Sequence, residues 1–178
     1  MENQEDVFKE TIKLGLILGF IQISVSVLFY LTDISLLLGM KGQGSQILIV
    51  AITVVFFAIR IRTLQGGLMT FREGFKTVFL IGLVGALLNT VFIYVLYNFI
   101  DTTLSEQYKQ ITIDSTREMM EKFGAGGEQL DKALEQLETQ DFSFSLGTML
   151  QGLVVSSLLG ACYAAIVGAS IKKENNTF

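Results

Sequence analysis

Residues 14–31 read LGLILGFIQISVSVLFYL, eighteen positions without a single charge. At 1.5 Å per residue a helix of that length covers about 27 Å, close to the roughly 30 Å hydrocarbon core of a bilayer. The segment before it, Glu2 to Lys13, is acidic with mixed charge. A secretory signal would begin basic and carry a shorter apolar core, so a retained membrane span is expected over about residues 12–31.

Three further apolar blocks follow. Ile47 to Ile59 is short, extended by polar Gln43 to Gln46 and closed by Arg60 and Arg62. Beside stronger neighbours it reads as a short span over about 44–61, accommodated by bilayer thinning or snorkelling arginines. The third opens on Thr70-Phe71-Arg72-Glu73, which has the capping-box form. It predicts a helix running through Ile100, with the span at about 76–100. Phe71, Phe75 and Phe79 form an aromatic stripe near its start, and Tyr94, Tyr97, Asn98 and Phe99 an interfacial belt at its end. The fourth, Leu146 to Ile171, stops at Lys172-Lys173 and is long enough to require tilt. The fold class that follows is all-α: an integral membrane four-helix bundle, one membrane domain over residues 1–178.

Between the third and fourth blocks, residues 101–145 carry ten acids and four bases. Leu104, Tyr108, Ile111, Ser115, Met119 and Phe123 fall on one helical face. Gly124 to Gly127 breaks the pattern, and Leu130, Leu134 and Leu137 mark a second helix. An acidic helical hairpin outside the bilayer is expected. Anionic headgroups would repel its outer face, so it should dock on the protein instead.

The bases sort by side. Lys9, Lys13, Arg60, Arg62, Arg72, Lys76, Lys172 and Lys173 share one side of a four-span chain; Lys41 and the hairpin's four dilute bases take the other. The positive-inside rule then places both termini in the cytoplasm and the hairpin outside it.

Small residues predict the helix contacts. Gly152, Ser156, Gly160, Ala164 and Gly168 repeat every four positions, and Gly15 with Gly19 and Gly82 with Ala86 give shorter versions. Such stripes let backbones approach closely. Spans one, three and four are expected to pack together, with the second facing lipid more. A substrate path or a homodimer seam are the alternative uses of the same stripes. Residues 15–30 and 82–97 are also equal in length, each with an amide seven residues after its glycine, Gln22 and Asn89, which hints at two parallel two-helix halves.

The chemistry available is narrow. Histidine is absent and Cys162 is the lone cysteine, so nucleophile–base pairs and cysteine-based metal sites have no material. No acidic pair lies within a span, which argues against ion-coupled transport. No cofactor, metal or nucleic acid is expected, and catalysis is not. Gln22, Asn89 and Gln151 are the amides expected at membrane depth, either as glue between helices or as ligand contacts. Arg72 and Lys76, beside Gly66-Gly67, could anchor the chain or meet an anionic headgroup.

Gly66-Gly67-Leu68-Met69-Thr70-Phe71, then Glu73, Phe75-Lys76-Thr77, Ile81-Gly82-Leu83 and Tyr97-Asn98-Phe99-Ile100-Asp101, resemble the bacterial membrane family called domain of unknown function 4199. The long hydrophilic loop before the last span is similar too; Arg72 departs from the family's pattern, in which a small residue is expected. The resemblance implies a four-span fold in a bacterial inner membrane and nothing catalytic. A structural or accessory role, through helix contacts or the outer hairpin and alongside a membrane-protein partner or further copies, is the reading that follows. A small oligomeric transporter or channel component is the alternative.

Overall fold

A computed structural model describes residues 2–173; position 1 and positions 174–178 of the expected domain lie outside the described residues. Among the described residues seven α-helices follow in order: α1 (Glu2–Thr32), α2 (Ile34–Leu38), α3 (Met40–Leu64), α4 (Phe71–Val95), α5 (Leu104–Lys122), α6 (Glu128–Thr139) and α7 (Leu146–Ile171). Among the described residues no strand forms. Four of the helices are long and apolar enough to cross a membrane: residues 4–32, 40–64, 71–100 and 146–171. The fold is thus an all-α membrane bundle with a helical pair between its third and fourth long helices.

Local chemistry sets the helix ends. Thr70 and Glu73 cap reciprocally: the Thr70 amide donates to Glu73 Oε2 at 2.8 Å, and the Glu73 amide to Thr70 Oγ1 at 3.3 Å. Asp33 caps α2 by accepting from the Ser35 amide, and Ser145 caps α7 by accepting from the Thr148 amide. The turn from α3 to α4 requires Gly66 and Gly67, whose φ values of 82° and 83° lie where a Cβ is strained.

The centre of the bundle is α4, flanked by α1 and α7. A methyl group added to Gly15 would lie 2.7 Å from Val84 Cβ, and one added to Gly19 would lie 2.8 Å from Leu88 Cδ2. Contacts advancing together along both chains make α1 and α4 parallel neighbours. The α7 helix runs antiparallel to α4, joined near one end through Gly74 and Gly168 and at the other by Asn98 Nδ2, which donates to the Phe144 carbonyl at 3.0 Å.

Two apolar cores result. At the end where α1 begins and α7 stops (the terminal end), Leu14, Leu18, Ile61, Met69, Ile81 and Val167 pack together. At the other end, Leu37, Leu38, Leu96 and Leu104 form a smaller cluster. The main contacts are α1 with α4 and α4 with α7, as expected, and α3 leaves Ile47, Leu48, Ile52 and Phe56 exposed, but its other side is not idle: Val54, Ala58 and Ile61 are buried in the first core. Its apolar residues are bulky, but every third or fourth one faces α1 and α4. Polar links reinforce this, with Gln46 Nε2 donating to Ser26 Oγ at 3.1 Å, the Tyr163 hydroxyl to the Ala51 carbonyl at 2.6 Å, and Arg60 paired to Glu10 at 3.1 Å.

The third long helix also departs from a plain α-helix. Its last turn, Leu96–Ile100, is π-helical, and the Asp101 amide donates to the Leu96 carbonyl. This wider turn buries Leu96 against Leu37, Leu38 and Leu104 and brings Asp101 to the Tyr30 hydroxyl at 3.2 Å. A tertiary contact thus overrides the regular pitch.

At the terminal end the chain latches onto itself. Met69 and Lys173 exchange backbone hydrogen bonds of 2.9 Å each, and Arg62 Nη1 donates to the Ile171 carbonyl at 3.1 Å. The cation satisfies an orphan acceptor at the C-terminus of α7.

Candidate functional site

The non-terminal end of the bundle is where chemically varied side chains converge. Its foundation is Leu104 at the start of α5, fully buried among Leu37, Leu38 and Leu96. From there α5 crosses over α2 and the start of α3: Ile111 Cγ2 would lie 3.9 Å from a Cβ on Gly39, and the charge of Lys41 reaches Glu118. Only the first half of the expected α5 face is used. Leu104 is buried and Tyr108, Ile111 and Ser115 are half-buried, but Met119 and Phe123 are exposed; Ile113, which lies off the expected face, is buried as well. The α6 helix packs back on α5 through half-buried Leu130, Leu134 and Leu137.

The chain returns from α6 to α7 through an extended stretch, and here a cleft of about 380 Å³ opens. It lies between α2, the end of α4, α5 and residues 140–148. Its walls carry two aromatic pairs: Tyr97 with Phe144, ring centroids 5.2 Å apart, and Tyr108 edge-on to Phe142 at 5.6 Å. Leu37 and Leu38 add an apolar side, and Asp141 with Ser143 a polar one. Ser143 donates its amide to Asp141 Oδ1 at 2.8 Å and its hydroxyl to Oδ2 at 2.9 Å. Those bonds, the amide first, hold the Asp141 carboxyl below its ordinary value, so it is charged at neutral pH.

The sequence-nominated residues lie elsewhere. Gln22 on α1 and Asn89 on α4 each keep a buried side-chain oxygen without a hydrogen-bond partner. Gln151 is exposed on α7, and Arg72 and Lys76 are exposed on the first turns of α4, at the terminal end. These five do not form one site. Of the small residues, Gly15, Gly19, Ala164 and Gly168 are buried. Gly152, Gly160 and Gly82 have nothing within 4 Å of an added Cβ, and Ser156 is exposed. Ala86 is half-buried, while its neighbour Gly85 is the residue pressed onto α1, where an added Cβ would lie 2.9 Å from Leu18 Cδ2. The cleft itself went unread in the sequence. Its signal was the recurrence of Tyr97, Tyr108, Phe142 and Phe144 around the hydrophilic loop, which no local period links.

Among the described residues no group of three histidines, cysteines or carboxylates could hold a metal ion. A family model described as "Protein of unknown function (DUF4199)" matches residues 13–173. No curated protein matches, and no solved structure does.

Proposed function

The chain belongs to the DUF4199 family of proteins of unknown function, and from that premise we propose that it is an accessory protein of a bacterial inner membrane, working by contact and not by catalysis. The single observation that carries this reading is the seating of the acidic hairpin: Leu104, Tyr108 and Ile111 pack onto the bundle's end, while Met119 and Phe123 at the far end of α5 and the charged side chains of α6 stay exposed. The membrane helices then act as a mount, and the hairpin, with ten acids against four bases across residues 101–145, as the surface offered to another membrane protein or to a further copy.

Eight bases at the terminal end support an orientation with both termini in the cytoplasm and the hairpin on the opposite face. A reporter fused after Phe178 is expected to be active only in the cytoplasm, and one inserted at Gly126 only outside it. In-membrane crosslinking from Glu121 and Glu135 is expected to trap a heterologous partner. A ladder of this chain alone would replace that reading with a closed homo-oligomer.

The second reading, a small transporter or channel component built from several copies, draws on the unpaired oxygens of Gln22 and Asn89 inside the bundle. Polar groups at that depth are where substrate paths are found.

A further inference from the structure

The cleft at the hairpin's root has a charge and shape of its own. Its lining includes four aromatic rings and one carboxylate, Asp141, and among the described residues no lysine or arginine. The rings come from distant parts of the chain: Tyr97 from the π turn of α4, Tyr108 from α5, and Phe142 and Phe144 from the return segment. Aromatic faces are negative and attract cations within about 6 Å of the ring centroid. The sole formal charge on the wall is negative too, and the surrounding loop is acidic, so an anion meets only repulsion. A bare metal ion would find a single carboxylate here, and no group of three histidine, cysteine or carboxylate side chains forms among the described residues. A volume of about 380 Å³ lies within the range of small-molecule sites, roughly 300–1,000 Å³.

We propose that this cleft binds a small organic cation, an ammonium head with apolar substituents, held between the paired rings of Tyr97, Tyr108, Phe142 and Phe144 with Asp141 at its rim. The apolar wall of Leu37 and Leu38 receives the substituents. The same chemistry belongs to a soluble amine and to an ethanolamine or choline lipid headgroup. The inference deepens the reading of the hairpin as the working surface and rests on it.

Tetraethylammonium chloride titrated into the full-length protein in maltoside micelles tests it. The readout is intrinsic tyrosine fluorescence: the chain has no tryptophan and five tyrosines, two of them in the cleft. A saturable response that sodium chloride does not reproduce is expected. Asp141→Asn, which keeps an oxygen for Ser143 and so preserves the loop, and Phe142→Leu should each weaken it about fivefold or more. Phe56→Leu, on the exposed side of α3, should leave it unchanged. Competition by short-chain phosphatidylethanolamine but not phosphatidylglycerol supports the cleft and assigns a headgroup; competition by neither supports it and assigns a soluble amine. No saturable response, or undiminished affinity in both cleft variants, overturns it. Binding without any crosslinked partner sinks the contact reading alone, and a crosslinked partner without binding sinks the cleft alone.

Discussion

Gly74 and Gly168 meet backbone to backbone where α4 crosses α7. A methyl group on Gly74 would lie 3.1 Å from the Gly168 Cα, and one on Gly168 would lie 2.8 Å from the Phe75 amide nitrogen. Lipid tails are as apolar as leucine, so close packing of this kind is a main source of association between membrane helices. Gly168→Ala is expected to cost about 1–3 kcal/mol through overpacking, and Gly168→Leu to abolish a monodisperse peak in detergent size-exclusion chromatography. Gly152→Leu and Gly160→Leu, which meet open space, should stay within about 0.5 kcal/mol of the parent. A large loss at Gly160 would instead require a second molecule in that groove.

Gln22 and Asn89 predict the opposite sign. Each buries an amide oxygen that nothing satisfies, and an orphaned acceptor costs about 1–3 kcal/mol. Asn89→Leu should therefore raise the unfolding midpoint in micelles, with a gain of about 1 kcal/mol. A lowered midpoint would show that the amide has a partner in the membrane.

Tyr163 reaches across the bundle to the Ala51 carbonyl at 2.6 Å, 112 positions away in the chain. Hydrogen bonds between membrane helices are worth about 0.6 kcal/mol on average and up to about 2. Tyr163→Phe should lose that amount in a denaturant titration, without disturbing helical content.

Acid should weaken the non-terminal end first. Asp101 is held below its ordinary value chiefly by the Thr103 hydroxyl; burial is the next-largest influence and opposes it, and the Thr103 amide and the Tyr30 hydroxyl add smaller lowering effects. A depressed folded pKa gives stability that is present above the unfolded value, about 3.9, and lost as pH falls through the folded one. Thermal stability is expected to be level from about pH 7 to 5 and to decline below about 4. Asp101→Asn should flatten that decline; an unchanged slope would place its origin elsewhere, for instance at Asp33 or Asp141, which local hydrogen bonds also hold low.

The four long helices were legible because apolar length is a one-dimensional property. The Thr70–Glu73 cap was legible for the same reason: its partners sit three residues apart. What the chain concealed depends on neighbours. The short helix α2, Ile34–Leu38, was not among the expected elements; Asp33 caps it and it turns a corner under α5. The stripe from Gly152 to Gly168 gives small residues a direction but not an occupant, and α4 fills only its last part. The cleft was hidden because its rings come together only after the π turn and the hairpin are in place.

The latch at the terminal end fixes an order of events during synthesis. Arg62 and the Ile171 carbonyl it grips lie 109 positions apart, and the glycine turn that delivers Met69 to Lys173 is made long before either of those late partners leaves the ribosome. Until the last helix is inserted, Met69 has no strand-like partner and Arg62 no carbonyl to hold. Closure of that end therefore waits for α7, and a chain cut short of Lys173 would leave the Met69 amide and carbonyl without their backbone partner.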